Sequence, residues 1–129
     1  MTITVIVPTR NRAVGLAAAL ESYSRLEAPP GGWDLLVVDN GSTDSTPEVI
    51  RRFSAKLPLN GLAESRPGYA LAMNAGIESA RGDLLLFTDD DIQHPANWLM
   101  LYAQAAEAHP DFDVFCGPVS PKWPSAPPP

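Results

Sequence analysis

Asp89-Asp90-Asp91 is the strongest chemical signal in this 129-residue chain. Two carboxylates about 4 Å apart repel by about 4 kcal/mol at the effective dielectric of a protein surface. Three in a row therefore need solvent, a proton or a cation in order to coexist. On an extended segment residues i and i+2 point the same way, which predicts Asp89 and Asp91 facing one pocket and Asp90 turned elsewhere. Hard oxygen donors of this kind suit Mg²⁺ or Mn²⁺, ions that commonly link a carboxylate or two to substrate phosphates. The triplet can equally be a solvated acidic loop capping the helix that Pro95 opens, where the field of a helix start favours negative charge. Its place directly after the buried strand expected over 84–88 favours the cation.

Other polar residues follow apolar runs in the same way. Asp39 ends Leu35-Leu36-Val37-Val38 and can accept a hydrogen bond from a nucleobase ring N–H, or form a turn with Asn40-Gly41. Arg66 can pair with phosphate or stack on a base, or be a solvated charge, and the same alternatives apply to Arg10 and Arg12. His94 can be a metal ligand or proton carrier, but with His109 fifteen residues away as the only other histidine it reads as a loop residue. Cys116, the single cysteine, lies in an apolar run and reads as a small buried hydrophobe. Met73, Trp98 and Tyr102 fall at helical spacing and read as core.

The elements that must position these residues follow from the alternation of short β-branched or Leu-rich runs with longer helical segments, the pattern of βαβ units. Strands are expected at 3–7, 35–38, 58–63, 84–88 and 112–116. Helices are expected from an Asn11 cap to about Leu26, from a Ser45/Glu48 capping box or Thr46-Pro47 to about Lys56, from Tyr69 to Arg81, and from Pro95 to His109. In the third helix Ala70, Met73, Ile77 and Ala80 form one stripe, with Gly82 as the C-terminal glycine. In an open parallel sheet ligands bind beyond the carboxyl ends of the strands. That places the loops Pro8–Asn11, Asp39–Asp44, Glu64–Arg66 and Asp89–Asp91 on one rim.

Composition bounds the class. With 45% apolar and 19% charged residues the chain reads as one globular domain. The lone cysteine permits no intrachain disulfide, which favours a reducing compartment. A net charge of −6 argues against a basic face that holds nucleic acid, so bound phosphate needs another source of positive charge. The run Trp98–Ala103 is six residues, where a spanning helix needs about twenty, and the N-terminus carries no signal-peptide pattern. G-x-G-x-x-G after the first strand, G-x-x-x-x-G-K-[ST] and G-x-S-x-G are all absent, which removes the usual dinucleotide, P-loop and hydrolase sites. Six of the last twelve residues are proline, so the chain from 118 to 129 is expected to be an extended tail or the start of a further half.

Taken together, Val5-Ile6-Val7-Pro8-Thr9-Arg10-Asn11-Arg12, Val37-Val38-Asp39-Asn40-Gly41-Ser42-Thr43-Asp44-Ser45-Thr46, Arg66-Pro67-Gly68 with Asn74-Ala75-Gly76, Ala80-Arg81-Gly82-Asp83, and Phe87-Thr88-Asp89-Asp90-Asp91 with Pro95 and Trp98-Leu99 resemble the N-terminal half of a family 2 glycosyltransferase with the GT-A fold. The resemblance implies an α/β fold, a three-layer α/β/α sandwich with a mainly parallel sheet and a Rossmann-like nucleotide-binding half over residues 1–117. It implies that Pro8, Thr9 and Asp39 line the nucleobase pocket, with Arg10 and Arg66 near the base or phosphates and Asp89 and Asp90 at the sugar nucleotide. It assigns Asp89 and Asp91 to Mn²⁺ or Mg²⁺. The expected donor is a nucleotide sugar, with UDP as the nucleotide, and the acceptor an unidentified hydroxyl, with inversion at the anomeric centre. The general base and acceptor pocket are expected from a second half beyond these residues. The expected location is the cytoplasm, with attachment to the inner face of a membrane only through further regions or partners. A non-catalytic nucleotide-binding module completed by a partner is the alternative. A nucleotidyltransferase would want a glycine- and basic-rich first loop, and a receiver domain acidic residues after the first strand.

Overall fold

The computed structural model describes residues 1–127 and 129. Among these it forms β1 (Ile3–Thr9), α1 (Ala13–Tyr23), β2 (Trp33–Asp39), α2 (Thr46–Ser54), β3 (Leu59–Ala63), α3 (Tyr69–Ser79), β4 (Leu84–Phe87) and α4 (Trp98–Ala108). The strands make one parallel sheet of order β3-β2-β1-β4. β1 and β2 are central and nearly continuous in apolar residues, as strands covered on both faces must be. Alternate residues of β1 and β2 separate cleanly. Val5, Val7, Leu35 and Val37 pack with Leu16, Leu20, Phe53 and Leu99 from α1, α2 and α4. Ile6 and Val38 pack on the other face with Ala72 of α3. The result is the expected three-layer sandwich.

α3 departs from the expected stripe. Its buried residues are Ala72 and Gly76, while Ala70 is exposed and Ile77 is 43% exposed. The helix turns its smallest residues to the sheet, and a Cβ on Gly76 would lie 2.6 Å from Ile6 Cγ2. Gly82 is not the helix terminator either. α3 ends at Ser79 with Ala80 extended, and Gly82 is needed because a Cβ there would lie 2.5 Å from the Thr4 amide nitrogen.

Helix starts also differ from expectation. Asn11 does not cap α1. Arg12 occupies that position without a side-chain hydrogen bond, and Asn11 instead takes φ 50°. The start of α1 is held by the next loop, since Arg12 N donates to Thr46 Oγ1 (3.2 Å) and Ala13 N to Asp44 Oδ2 (3.3 Å). The Ser45/Glu48 capping box does not form. Thr46 N donates instead to Asp44 Oδ1 at 2.9 Å, with Pro47 in the first turn. α1 stops at Tyr23 rather than Leu26, and α4 starts at Trp98 rather than Pro95.

The fifth strand does not form. Residues 112–116 carry no strand, Cys116 is exposed rather than buried, and Phe112 stacks on His109 with ring centroids 5.2 Å apart. Asp111 and Asp113 interrupt the apolar run and Pro118 closes it, so the segment offers a partner strand neither a regular face nor length. No helix among the described residues is long and apolar enough to cross a membrane.

Candidate active site

The parallel register places the carboxyl ends of the strands side by side. Thr9 pairs with Asp39, and Asp39 with Ala63. β4 stops three residues short of the end of β1, with Phe87 opposite Ile6, and the chain then leaves the sheet. Pro8 and Thr9 are buried, Thr9 to 4% exposure, and Arg10 emerges into solvent. Thr9 Oγ1 donates to Asp90 Oδ2 at 2.9 Å, which joins the ends of β1 and β4 across 81 residues of sequence.

This contact corrects the expected direction of the triplet. Asp90 turns toward Thr9, whereas Asp89 is exposed and lies 3.4 Å from the Tyr69 hydroxyl at the start of α3. Strand alternation does not apply because regular extension ends at Phe87 and residues 90 and 91 form a turn. Asp91 is exposed. The triplet does not cap α4, whose N-cap Asn97 makes no side-chain bond. Burial raises the Tyr69 pKa first, and the neighbouring Asp89 charge and its hydrogen bond add to this.

Asp39 combines both roles open to it. Its Oδ1 accepts from Ser42 N at 3.0 Å, the turn-forming bond, which leaves Oδ2 without a protein partner among the described residues. Next to it, Asn40 does more than shape a turn with Gly41, because its side chain ties two loops together. Asn40 Nδ2 donates to the carbonyls of Glu64 (2.8 Å) and Arg66 (2.7 Å), and Gly68 N donates to Asn40 Oδ1 (3.0 Å). The Arg66 side chain is largely exposed and its Nε donates to Glu64 Oε1.

Asn11 performs the matching task between the first two loops. Its Oδ1 accepts from Thr43 N (2.7 Å) and Asp44 N (3.3 Å), and its backbone N–H donates to Ser42 Oγ (2.9 Å). Two Asn–Gly or Arg–Asn pairs in loops following strands are the only local signal for such ties. Asp44, accepting from the Thr46 hydroxyl and amide, has its pKa lowered.

The rim is therefore one surface on which four loops are cross-tied. No group of three or more His, Cys, Asp or Glu among the described residues is arranged to hold a metal alone. Asp89 and Asp91 are exposed oxygen donors on one short loop, a set that could hold a hard cation together with a bound phosphate and water. Arg10, Arg12 and Arg66 are exposed cations on the same rim.

Comparison with known proteins places the fold. The chain is 36% identical over 100 residues to glycosyltransferase AglE of Haloferax volcanii, an overlap of 75% of this chain and 33% of that protein. Among solved structures, S. aureus TarS 1–349 in complex with UDP-GlcNAc superposes with a TM-score of 0.76 at 28% identity, covering 84% of this chain and 32% of that one. The mannosyltransferase PcManGT from Pyrobaculum calidifontis, in complex with GDP-Man and Mn²⁺, superposes with a TM-score of 0.67 at 36% identity, covering 73% and 28%. The chain thus spans about a third of the relatives it matches. The sequence model for glycosyl transferase family 2 matches residues 4–127. On a match of that extent and a shared GT-A core, the chain belongs to glycosyl transferase family 2.

Proposed function

We propose that this chain is the donor-binding part of a glycosyltransferase that takes a nucleoside-diphosphate sugar and passes the sugar, with inversion, to an acceptor hydroxyl. The observation that carries the reading is the Thr9–Asp90 hydrogen bond, which ties the acidic loop after β4 to the carboxyl end of β1, where Thr9 pairs with Asp39 of β2. In this reading Pro8, Thr9 and the free Oδ2 of Asp39 receive the nucleobase, and Arg10 and Arg66 supply positive charge near the phosphates. Asp90 orients the loop through Thr9, and Asp89 with Asp91 holds Mn²⁺ or Mg²⁺. A cation there would stabilise negative charge on the departing nucleotide as the sugar–phosphate bond breaks.

The acceptor oxygen forms the new bond at the anomeric carbon and gives up its proton to a base that we do not assign to this chain. The one-third coverage of the relatives supports residues 1–117 as a nucleotide-binding half, completed for transfer by a further segment or partner. UDP is the proposed nucleotide, with the UDP-GlcNAc complex of TarS in support, and GDP is the competitor that the PcManGT complex raises.

Titration calorimetry with UDP and with GDP, each with and without Mn²⁺, tests the reading. UDP binding is expected to require Mn²⁺ and to weaken by about tenfold or more in Asp91→Ala, the scale of one lost charged contact. Metal-independent binding that survives this substitution overturns the assignment.

A further inference from the structure

Thr88 and His94 flank the five residues 89–93 that contain the acidic triplet, and Thr88 Oγ1 lies 3.1 Å from His94 Nε2. Each end of this neck is anchored separately. Thr88 is 7% exposed, and its amide donates to Ile6 O of β1 at 3.2 Å. The half-buried His94 ring stacks on Trp98 at 3.7 Å and 15°, and meets the Tyr23 ring edge-on at 5.5 Å. Trp98 begins α4 and Tyr23 ends α1, while Glu27 N donates to Ala96 O at 2.8 Å just beyond. One end of the loop therefore belongs to the sheet and the other to the helical layer. The Thr88–His94 bond is the side-chain link across the neck.

An apolar residue would fill the space between Tyr23 and Trp98, but only a side chain with a polar atom at the Nε2 position also bonds Thr88. Burial lowers the His94 pKa to about 4, so at neutral pH the ring is uncharged and its Nε2 accepts from the hydroxyl when the proton is on Nδ1. The titratable group facing it from α1 is the Tyr23 phenol, which burial keeps protonated. Its loop neighbours Asp89 and Asp91 are exposed. A loop of three adjacent carboxylates resists ordering, and closing its neck beforehand lessens the ordering that a ligand must impose.

We propose that His94 is a positioning residue: clamped on Trp98, its ring holds Thr88 and so sets the span over which Asp89, Asp90 and Asp91 are presented at the rim. The loop order itself stands apart from any ligand, whereas its consequence for binding rests on the nucleotide-sugar reading above.

Amide hydrogen exchange of the ligand-free chain, with UDP calorimetry in the presence of Mn²⁺, decides the matter across Thr88→Val, His94→Phe, His94→Gln and the Thr88→Val/His94→Phe double variant. Thr88→Val and His94→Phe are each expected to speed exchange of the amides that anchor the two ends of this loop, residue 88 on Ile6 O and Trp98 on Pro95 O, by about five- to tenfold, the scale of one hydrogen bond, with the other amides of β1 and β2 unchanged. The double variant should exchange no faster than either single one, because both remove the same bond. His94→Gln, which can present a polar atom near the Nε2 position, should stay within about twofold of the parent in this loop. UDP affinity should follow the same order. Unchanged loop exchange, equal acceleration in the sheet, or additive effects in the double variant overturns the proposal. If the parent chain binds no UDP with Mn²⁺ while the exchange pattern holds, the nucleotide-sugar reading fails and the assignment of His94 to the loop stands.

Discussion

Every polar atom of the Asn40 side-chain amide is engaged: two N–H bonds go to the Glu64 and Arg66 carbonyls and the oxygen accepts from Gly68 N. The residue is 7% exposed, so water cannot easily replace these partners. An aspartate has nearly the same shape but no N–H, and it would set a carboxylate oxygen against two carbonyl oxygens. Asn40→Asp is therefore expected to lower unfolding free energy by about 1–3 kcal/mol, the cost of leaving buried partners unmade. Urea denaturation at neutral pH measures this, and parental stability in Asn40→Asp would show that the amide is not donating as described. The adjacent Asp39 is under a different constraint. Only one of its oxygens serves the turn, which is why the same side chain can build the loop and still face the rim.

At the scale of elements, α3 shows what sequence periodicity can and cannot convey. A stripe of large apolar residues marks the buried face when a helix packs at ordinary distance. α3 approaches β1 and β2 more closely, through Ala72 and Gly76, and so turns Ile77 outward. Gly76→Ala should gain about 1 kcal/mol of helix propensity. The new methyl, however, meets Ile6 Cγ2 at 2.6 Å and Val38 Cγ2 at 3.3 Å, and both residues are fully buried. Overpacking of this kind costs about 1–3 kcal/mol, so a net loss of stability is expected, seen as a lower urea midpoint with an unchanged slope. A rise in midpoint would mean that the helix can lift from the sheet.

The four strands, the four helices and the rim were legible because local patterns determine them: apolar runs bounded by Asp, Asn, Gly and Pro. The failed fifth strand shows the limit of that logic, since Phe112–Cys116 has apolar content without an unbroken run or a pairing partner. The cross-ties Thr9–Asp90, Asn40–Arg66 and Asn11–Thr43 join residues 81, 26 and 32 positions apart. No local pattern encodes such a pairing, so the site residues could be named while the bonds that aim them could not.

For the whole molecule, the same half-buried ring sets how the fold responds to acid. The His94 pKa falls from an ordinary 6.5 to about 4 because burial between Tyr23 and Trp98 disfavours the charged ring. A depressed histidine pKa means that the unfolded chain binds the proton more tightly. Its contribution to stability is complete above pH 6.5 and is lost progressively as pH falls toward 4. Asp44, bonded by Thr46, and Asp83, whose Oδ2 accepts from the Thr2 amide and hydroxyl, have lowered carboxyl pKa values and act in the same direction but lower down. Each favours the native state above its ordinary value of 3.8, and that advantage disappears as pH falls through the depressed native value. Two windows therefore follow one another, with the imidazole first. Partial exposure of the ring reduces its effect to about 1–2 kcal/mol between pH 7 and pH 4. Urea midpoints at pH 7, 5.5 and 4 should decline in the parent chain and stay nearly level over the same range in His94→Phe, with both chains losing stability below pH 4. Parallel decline in the two chains would locate the acid sensitivity in the carboxylates alone and would mean that the ring between Tyr23 and Trp98 takes up its proton as readily in the native chain as in the unfolded one.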